Sequence, residues 1–271
     1  MIIGNRYNIN EKIGEGSFGS IYKGENIRTG EQVAVKMEFL SSETKLLKNE
    51  SRVYQYLDKT PGIPQLKWFG LDEHHYYMVF TLLGNSLSDF KTKHPVLSLK
   101  IIIGIGFQLV KLIESIHNKH LIHRDIKPDN FLFGLGDKKA QLHIIDFGFC
   151  KNFIDREGKH MKQTTNKTPL GTPNFISINV HDGIEPSRRD DLESIVYILL
   201  YLFESALPWN ELSTYYDEYK NVGLKIKQAK VKTMESERTP PTLREIWTYC
   251  RTLRFDESPN YQTIYEIMKK N

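Results

Sequence analysis

The chain has 271 residues, 39% of them hydrophobic, 26% charged and 11% aromatic, with a formal net charge of +4. That length holds one large domain or two lobes sharing a cleft, and the composition excludes a disordered chain, a collagen and a coiled coil. The charge is too mild for a dedicated nucleic-acid binder and fits a local basic patch facing an acidic partner.

The first eighty or so residues read as strands at Tyr7 to Ile13, Ser20 to Asn26, Gln32 to Phe39, Leu66 to Asp72 and Tyr76 to Leu82. Turn residues Arg28-Thr29-Gly30 and Asp72-Glu73-His74 separate consecutive strands as hairpins require. A helix is expected from Ser42 to Leu57. After Gly84 the period becomes helical: Ile101, Ile105, Leu109, Leu112, Ile113 and Ile116 form a stripe behind an N-cap at Ser98. A helix from Arg189 to about Ser205 is apolar nearly all round past Ser194, as a helix at the centre of a lobe must be. Cys150 and Cys250 lie a hundred positions apart and give no disulfide framework. The longest apolar run, Ile195 to Phe203, is too short to cross a bilayer. A soluble cytoplasmic protein is expected, with the nucleus left open, and no membrane or nucleic-acid partner.

The chemistry concentrates in four segments. Ile13 to Ile21 contains Gly14-x-Gly16-x-x-Gly19, where glycines let backbone amides approach phosphate oxygens. A strand follows it, not a helix, so the glycines sit at a hairpin tip and not in a dinucleotide-binding turn. Val33-Ala34-Val35-Lys36 ends an apolar run in a lysine, and Glu50 on the expected helix is positioned to pair with it and aim it at nucleotide phosphates. His123-Arg124-Asp125-Ile126-Lys127-Pro128-Asp129-Asn130 is a loop, since proline bars helix and central strand. Ile144-Ile145-Asp146-Phe147-Gly148 puts a carboxylate at a strand end. Asp146 and Asn130 offer oxygens suited to Mg²⁺, Asp125 could accept the proton of an attacking hydroxyl, and Lys127 could neutralise a transferred phosphoryl group.

Other groupings carry less. His117, His120 and His123 straddle a helix end and cannot share a face for zinc. Ser17 has no nucleophile elbow around it. Tyr215, Tyr216 and Tyr219 are expected to pack against the helical lobe, and Asp190-Asp191 to cap a helix and brace a loop.

Because the glycine loop, VAVK, HRDIKPDN and DFG occur in this order, the sequence resembles the eukaryotic protein kinases over nearly its whole length. Within them it looks most like the casein kinase 1 family, on IKPDNFL (126–132), GTPNFISINVH (171–181), SRRDDLESI (187–195), LPW (207–209) and LRFDESPNY (253–261). The resemblance implies an α+β, bilobal fold: one kinase domain over 1–271, with a β-rich lobe (1–83), an α-helical lobe (84–271) and an ATP cleft between them. It also implies a monomeric serine/threonine kinase using ATP and Mg²⁺ on acidic or pre-phosphorylated protein substrates. Thr172 would help align Asp125 and Lys127, and Asp191 would brace their loop. Nucleotide would be held by Ile13, Gly14, Gly16, Ser17, Gly19, Ile21, Ala34, Lys36, Leu132 and Ile145, with a hinge from Thr81 to Leu83 and Phe80 narrowing the rear pocket.

Asn174 stands where family members carry an arginine that receives a substrate phosphate, which leaves phosphate-primed specificity open. Lys225, Lys227, Lys230 and Lys232 could supply an anion site or be a solvated basic stretch. With the chain ending at Asn271, the autoinhibitory tail of some relatives is not expected. The competing readings are a kinase-fold scaffold that binds a partner without catalysis and a small-molecule phosphotransferase.

Overall fold

The computed structural model describes residues 1–16, 19–42, 46–213 and 221–270. Ser17 and the Tyr215, Tyr216 and Tyr219 group lie outside the described residues. In chain order the elements are β1 (Ile2–Ile3), β2 (Tyr7–Gly16), β3 (Gly19–Asn26), β4 (Gln32–Phe39), α1 (Leu46–Tyr56), β5 (Leu66–Leu71), β6 (His75–Thr81), α2 (Leu87–Lys93), α3 (Leu99–His117), β7 (Leu121–Ile122), β8 (Phe131–Phe133), β9 (Leu142–Ile144), β10 (Lys151–Asn152), α4 (Ile178–His181), α5 (Arg188–Phe203), α6 (Asn210–Ser213), α7 (Val222–Met234), α8 (Pro241–Thr252) and α9 (Tyr261–Lys269). They form two compact units, Met1–Ser86 with Phe131–Cys150 and Leu87–Asn130 with Lys151–Asn271.

The first unit is built on an antiparallel sheet of order β1-β2-β3-β4-β6-β5. Side chains alternate across a strand, so Val33 and Val35 of β4 join Ile3, Tyr7, Tyr77 and Val79 in one core. Ala34 and Lys36 take the other face, opposite Phe80 and Met78 of β6. The helix expected from Ser42 starts at Leu46, while Ser42 closes a turn onto the Phe39 carbonyl. The expected division at residue 84 followed the change of periodicity. By compactness, however, the β8–β9 hairpin belongs with the strands: Gly84 N–H donates to Phe133 O, Phe133 N–H to Asn85 O and Ile144 N–H to Gly62 O.

The second unit is helical around α5, which packs against α3 and α8. Ile195 to Leu200 are all buried, and each large apolar side chain so buried contributes roughly 1.5–3 kcal/mol. Ser98 caps α3 by accepting from Ile101 N–H, as expected, but Ile101 itself is 48% exposed. The buried arc of α3 instead runs through Ile102, Ile105, Leu109, Ile113 and Ile116. Ile105, Leu109, Leu112, Ile113 and Ile116 are buried as expected, and only the first member of the stripe differs, because Ile101, Ile102 and Ile103 are indistinguishable by hydrophobicity. No helix among the described residues is long and apolar enough to cross a membrane.

Candidate active site

In the first unit Lys36 Nζ lies 2.7 Å from Glu50 Oε2 and 3.0 Å from Asp146 Oδ1. β4 turns Lys36 toward α1, where Glu50 is on the buried side with Leu47 and Tyr54. Burial alone would lower the Lys36 ammonium, but the charges of Glu50 and Asp146 outweigh it and hold the group above the usual lysine value. Tyr54 fixes the surroundings: its ring stacks on Phe80 at 6.1 Å and meets Phe147 edge-on at 5.0 Å, and its hydroxyl accepts from Asp146 N–H. Asp146 has φ of 67°, an uncommon conformation for a residue with a Cβ, and such strain gathers where side-chain direction matters.

Ile13, Ile21, Ala34, Phe80, Thr81, Leu83, Leu132 and Ile145 all belong to this unit. Ala34 and Phe80 are buried, Ile13 is exposed, and Ile21, Leu83, Leu132 and Ile145 are half-buried. The glycines divide. A Cβ on Gly19 would come within 2.1 Å of Met37 O, so packing demands that glycine, whereas a Cβ on Gly14 would meet only Ile21 at 3.8 Å. Gly16 pairs with Gly19 across the hairpin.

In the second unit, residues 123–130 form the expected loop, ending in a single 3₁₀ turn at Pro128–Asn130. Asp125 is buried, accepting from Thr172 Oγ1 at 2.9 Å on one oxygen and from Lys127 Nζ at 2.9 Å on the other. Asn130 Nδ2 donates to the Asp125 carbonyl at 2.8 Å, which commits its amide nitrogen and turns its oxygen the other way. Thr172 reaches Asp125 because Gly171 adopts φ of 102°, where a Cβ would meet Arg124 O at 2.8 Å. The loop is held from α5: Asp191 accepts from His123 N–H at 2.7 Å and Arg124 N–H at 2.9 Å. Burial would raise Asp191, but the hydrogen bonds from His117 and the loop amides hold it below the usual carboxylate value. His117 is pushed down by its own burial, so the neutral ring donates from Nε2 to Asp191 and accepts from Tyr261 at Nδ1. Asp190 meanwhile closes a capping box with Ser187 and accepts from Ser177 and Asn179. Capping and bracing are thus the roles of the paired aspartates, as expected from sequence.

Three features escaped the sequence. Arg124 has φ of 70°, and its guanidinium and Lys151 both reach the Glu185 carboxylate, at 3.4 and 2.7 Å. Glu193 accepts from Ile178 N–H, Tyr197 and Arg251. Of the four lysines of α7, two fit neither an anion site nor a solvated stretch: Lys227 binds Asp182 at 2.6 Å and Lys230 is 0% exposed, while Lys225 and Lys232 are exposed. The signal for Lys230 was legible, since Val222, Ile226, Lys230 and Met234 recur every fourth residue and all are buried.

Residues 7–269 match the family model of the protein kinase domain. The chain belongs to the protein kinase family. Within this kinase domain the Lys36–Glu50–Asp146 cluster sits in the β-rich unit, and the Asp125–Lys127–Asn130–Thr172 cluster in the helical unit. Kinase domains act as phosphotransferases on protein substrates and use ATP with Mg²⁺.

Proposed function

We propose that this kinase is a serine/threonine kinase of casein kinase 1 type acting on acidic protein segments. The observation that carries the reading is the two-sided hold on Asp125 by Thr172 and Lys127, which leaves a carboxylate oriented to receive a hydroxyl. In the reaction the acceptor oxygen bonds to the γ-phosphorus, the bond to the β,γ-bridging oxygen breaks, ADP leaves, and Asp125 takes the hydroxyl hydrogen bond and its proton. Lys127 offsets charge on the moving phosphoryl group, and Lys36, steadied by Glu50, faces the α and β phosphates. Ile13, Ile21, Ala34 and Leu132 supply apolar surface for the adenine, with the Thr81–Leu83 backbone beside it.

Asp146 and Asn130 fit a hard cation. Both carry an oxygen donor, and with Asn130 Nδ2 committed to the Asp125 carbonyl, Oδ1 is the atom left to face a cation. Bound by oxygens of this kind, Mg²⁺ would neutralise phosphate charge.

Acidic preference is supported by the net charge of +4 and by exposed Lys225 and Lys232. Asn174 is neutral, and its amide donates to Asn210 at 3.0 Å, so a priming phosphate is not part of the reading. The test is phosphate transfer to peptides with acidic, pre-phosphorylated or neutral residues before a Ser or Thr. Acidic peptides should be the best acceptors, and a preference for basic ones counts against the assignment. A melting midpoint unmoved by Mg²⁺-ATP would favour a non-catalytic scaffold instead.

A further inference from the structure

We propose that Lys230 is a positioning residue for the acceptor peptide, shaping the backbone of residues 173–176; the inference rests on the protein kinase reading above, with Gly171 to His181 as the peptide-facing segment. Lys230 Nζ donates to Pro173 O at 3.0 Å and to Ile176 O at 2.6 Å, and lies 3.2 Å from His181 Nε2. Those three contacts use its three donors. The rings of Tyr197 and Trp209 stand 4.5 and 5.5 Å from the ammonium. Burial pushes Lys230 well below the usual lysine value against the opposing charge of Glu193, and among the described residues no carboxylate lies within ion-pair distance of it. What the described residues offer its head is carbonyl oxygen and an imidazole nitrogen, whereas a lysine with no inward role extends its head to water.

The backbone it holds belongs to no sheet and to no long helix. Thr172 O accepts from Phe175 N–H and Ile176 N–H, which makes a turn immediately after the Thr172–Asp125 contact. The outward carbonyls of that turn are taken by side chains: Pro173 and Ile176 by Lys230, and Asn174 by Trp209 Nε1 at 3.0 Å. An irregular segment pinned carbonyl by carbonyl is a preorganised surface, and an apolar residue at 230 would bury more easily but hold none of it.

The test is steady-state kinetics of Lys230→Met, which keeps the side chain's bulk against the two rings. The expected result is a KM for an acidic peptide raised about tenfold or more, with the KM for ATP and kcat at saturating peptide each within about threefold. A peptide KM within about twofold of the parent, or equal losses toward peptide and ATP, overturns the inference. Should Lys230→Met fail to fold, Trp209→Phe removes the hydrogen bond to the Asn174 carbonyl and keeps an aromatic ring beside Lys230. It should raise the peptide KM and leave that for ATP unchanged, and an unchanged peptide KM again overturns the inference. A parent protein that transfers no phosphate to any peptide overturns the kinase reading itself, a result separable from the variant-to-parent ratio.

Discussion

The Glu50 carboxylate lies 2.7 Å from the Lys36 ammonium, and the two side chains are 2% and 7% exposed, respectively. Because Asp146 shares the same ammonium, replacing Lys36 by Met strands two carboxylates around an apolar group. Breaking a buried pair from one side costs about 3–5 kcal/mol. Lys36→Met should therefore lower the denaturant midpoint by a corresponding amount and abolish the Mg²⁺-ATP thermal shift. An unchanged midpoint would show that the carboxylates are not held by Lys36.

Asp125→Asn keeps an oxygen for Thr172 but presents an N–H₂ group to Lys127 Nζ, a clash of donors. Turnover on casein should fall by about 10²–10⁴ with the melting midpoint little changed. Thr172→Val, which removes one of the two holds, should cost about tenfold, since its hydrogen bond goes to a charged group. Equal turnover of Asp125→Asn and the parent sinks the role given to Asp125.

Gly14 and Gly19 should respond oppositely to Ala. Gly19→Ala drives a Cβ into the Met37 carbonyl and should destabilise the chain. Gly14→Ala has room in the fold, so it should leave stability unchanged and raise the KM for ATP if phosphate approaches there. Loss of stability in Gly14→Ala would assign that glycine to packing.

Acid should weaken the fold below about pH 6.5. His181 is held down to about 2, first by burial and then by Lys230 and Lys227, while an unfolded histidine titrates near 6.5. Between those values the unfolded state binds a proton that the folded state does not. The stability is therefore complete above about pH 6.5 and falls with pH, by up to about 1.4 kcal/mol per unit. His117, also lowered by burial, adds in the same direction. In His181→Gln, which can still accept from Lys230, the fall in melting midpoint from pH 7 to pH 5 should be shallower. An identical slope would remove His181 as a cause.

Strands β2 to β6 were legible because period-2 alternation and turn residues coincide there, and ends differed only by a residue or a few. The loop at 123–130 was legible from its proline, and the Lys36–Glu50 pair from strand and helix spacing. What stayed hidden was long-range and conformational. Nothing local marks Asp146 and Arg124 for positive φ, and Glu185 and Glu193 acquire their partners only after the helices assemble. Lys230 failed for another reason: charge was allowed to overrule a stripe that recurs every fourth residue.

The first two turns of α5 carry Asp190, Asp191 and Glu193, which between them hold residues 177–179, 123–124 and 251. One added residue between 191 and 193 would rotate everything before it by about 100° relative to the rest of the helix. The aspartates and Glu193 would then face different directions, and no rotamer adjustment could restore both sets. Length changes should therefore be barred from this stretch even where single substitutions are survivable, making it a fixed datum from which the neighbouring segments take their registration.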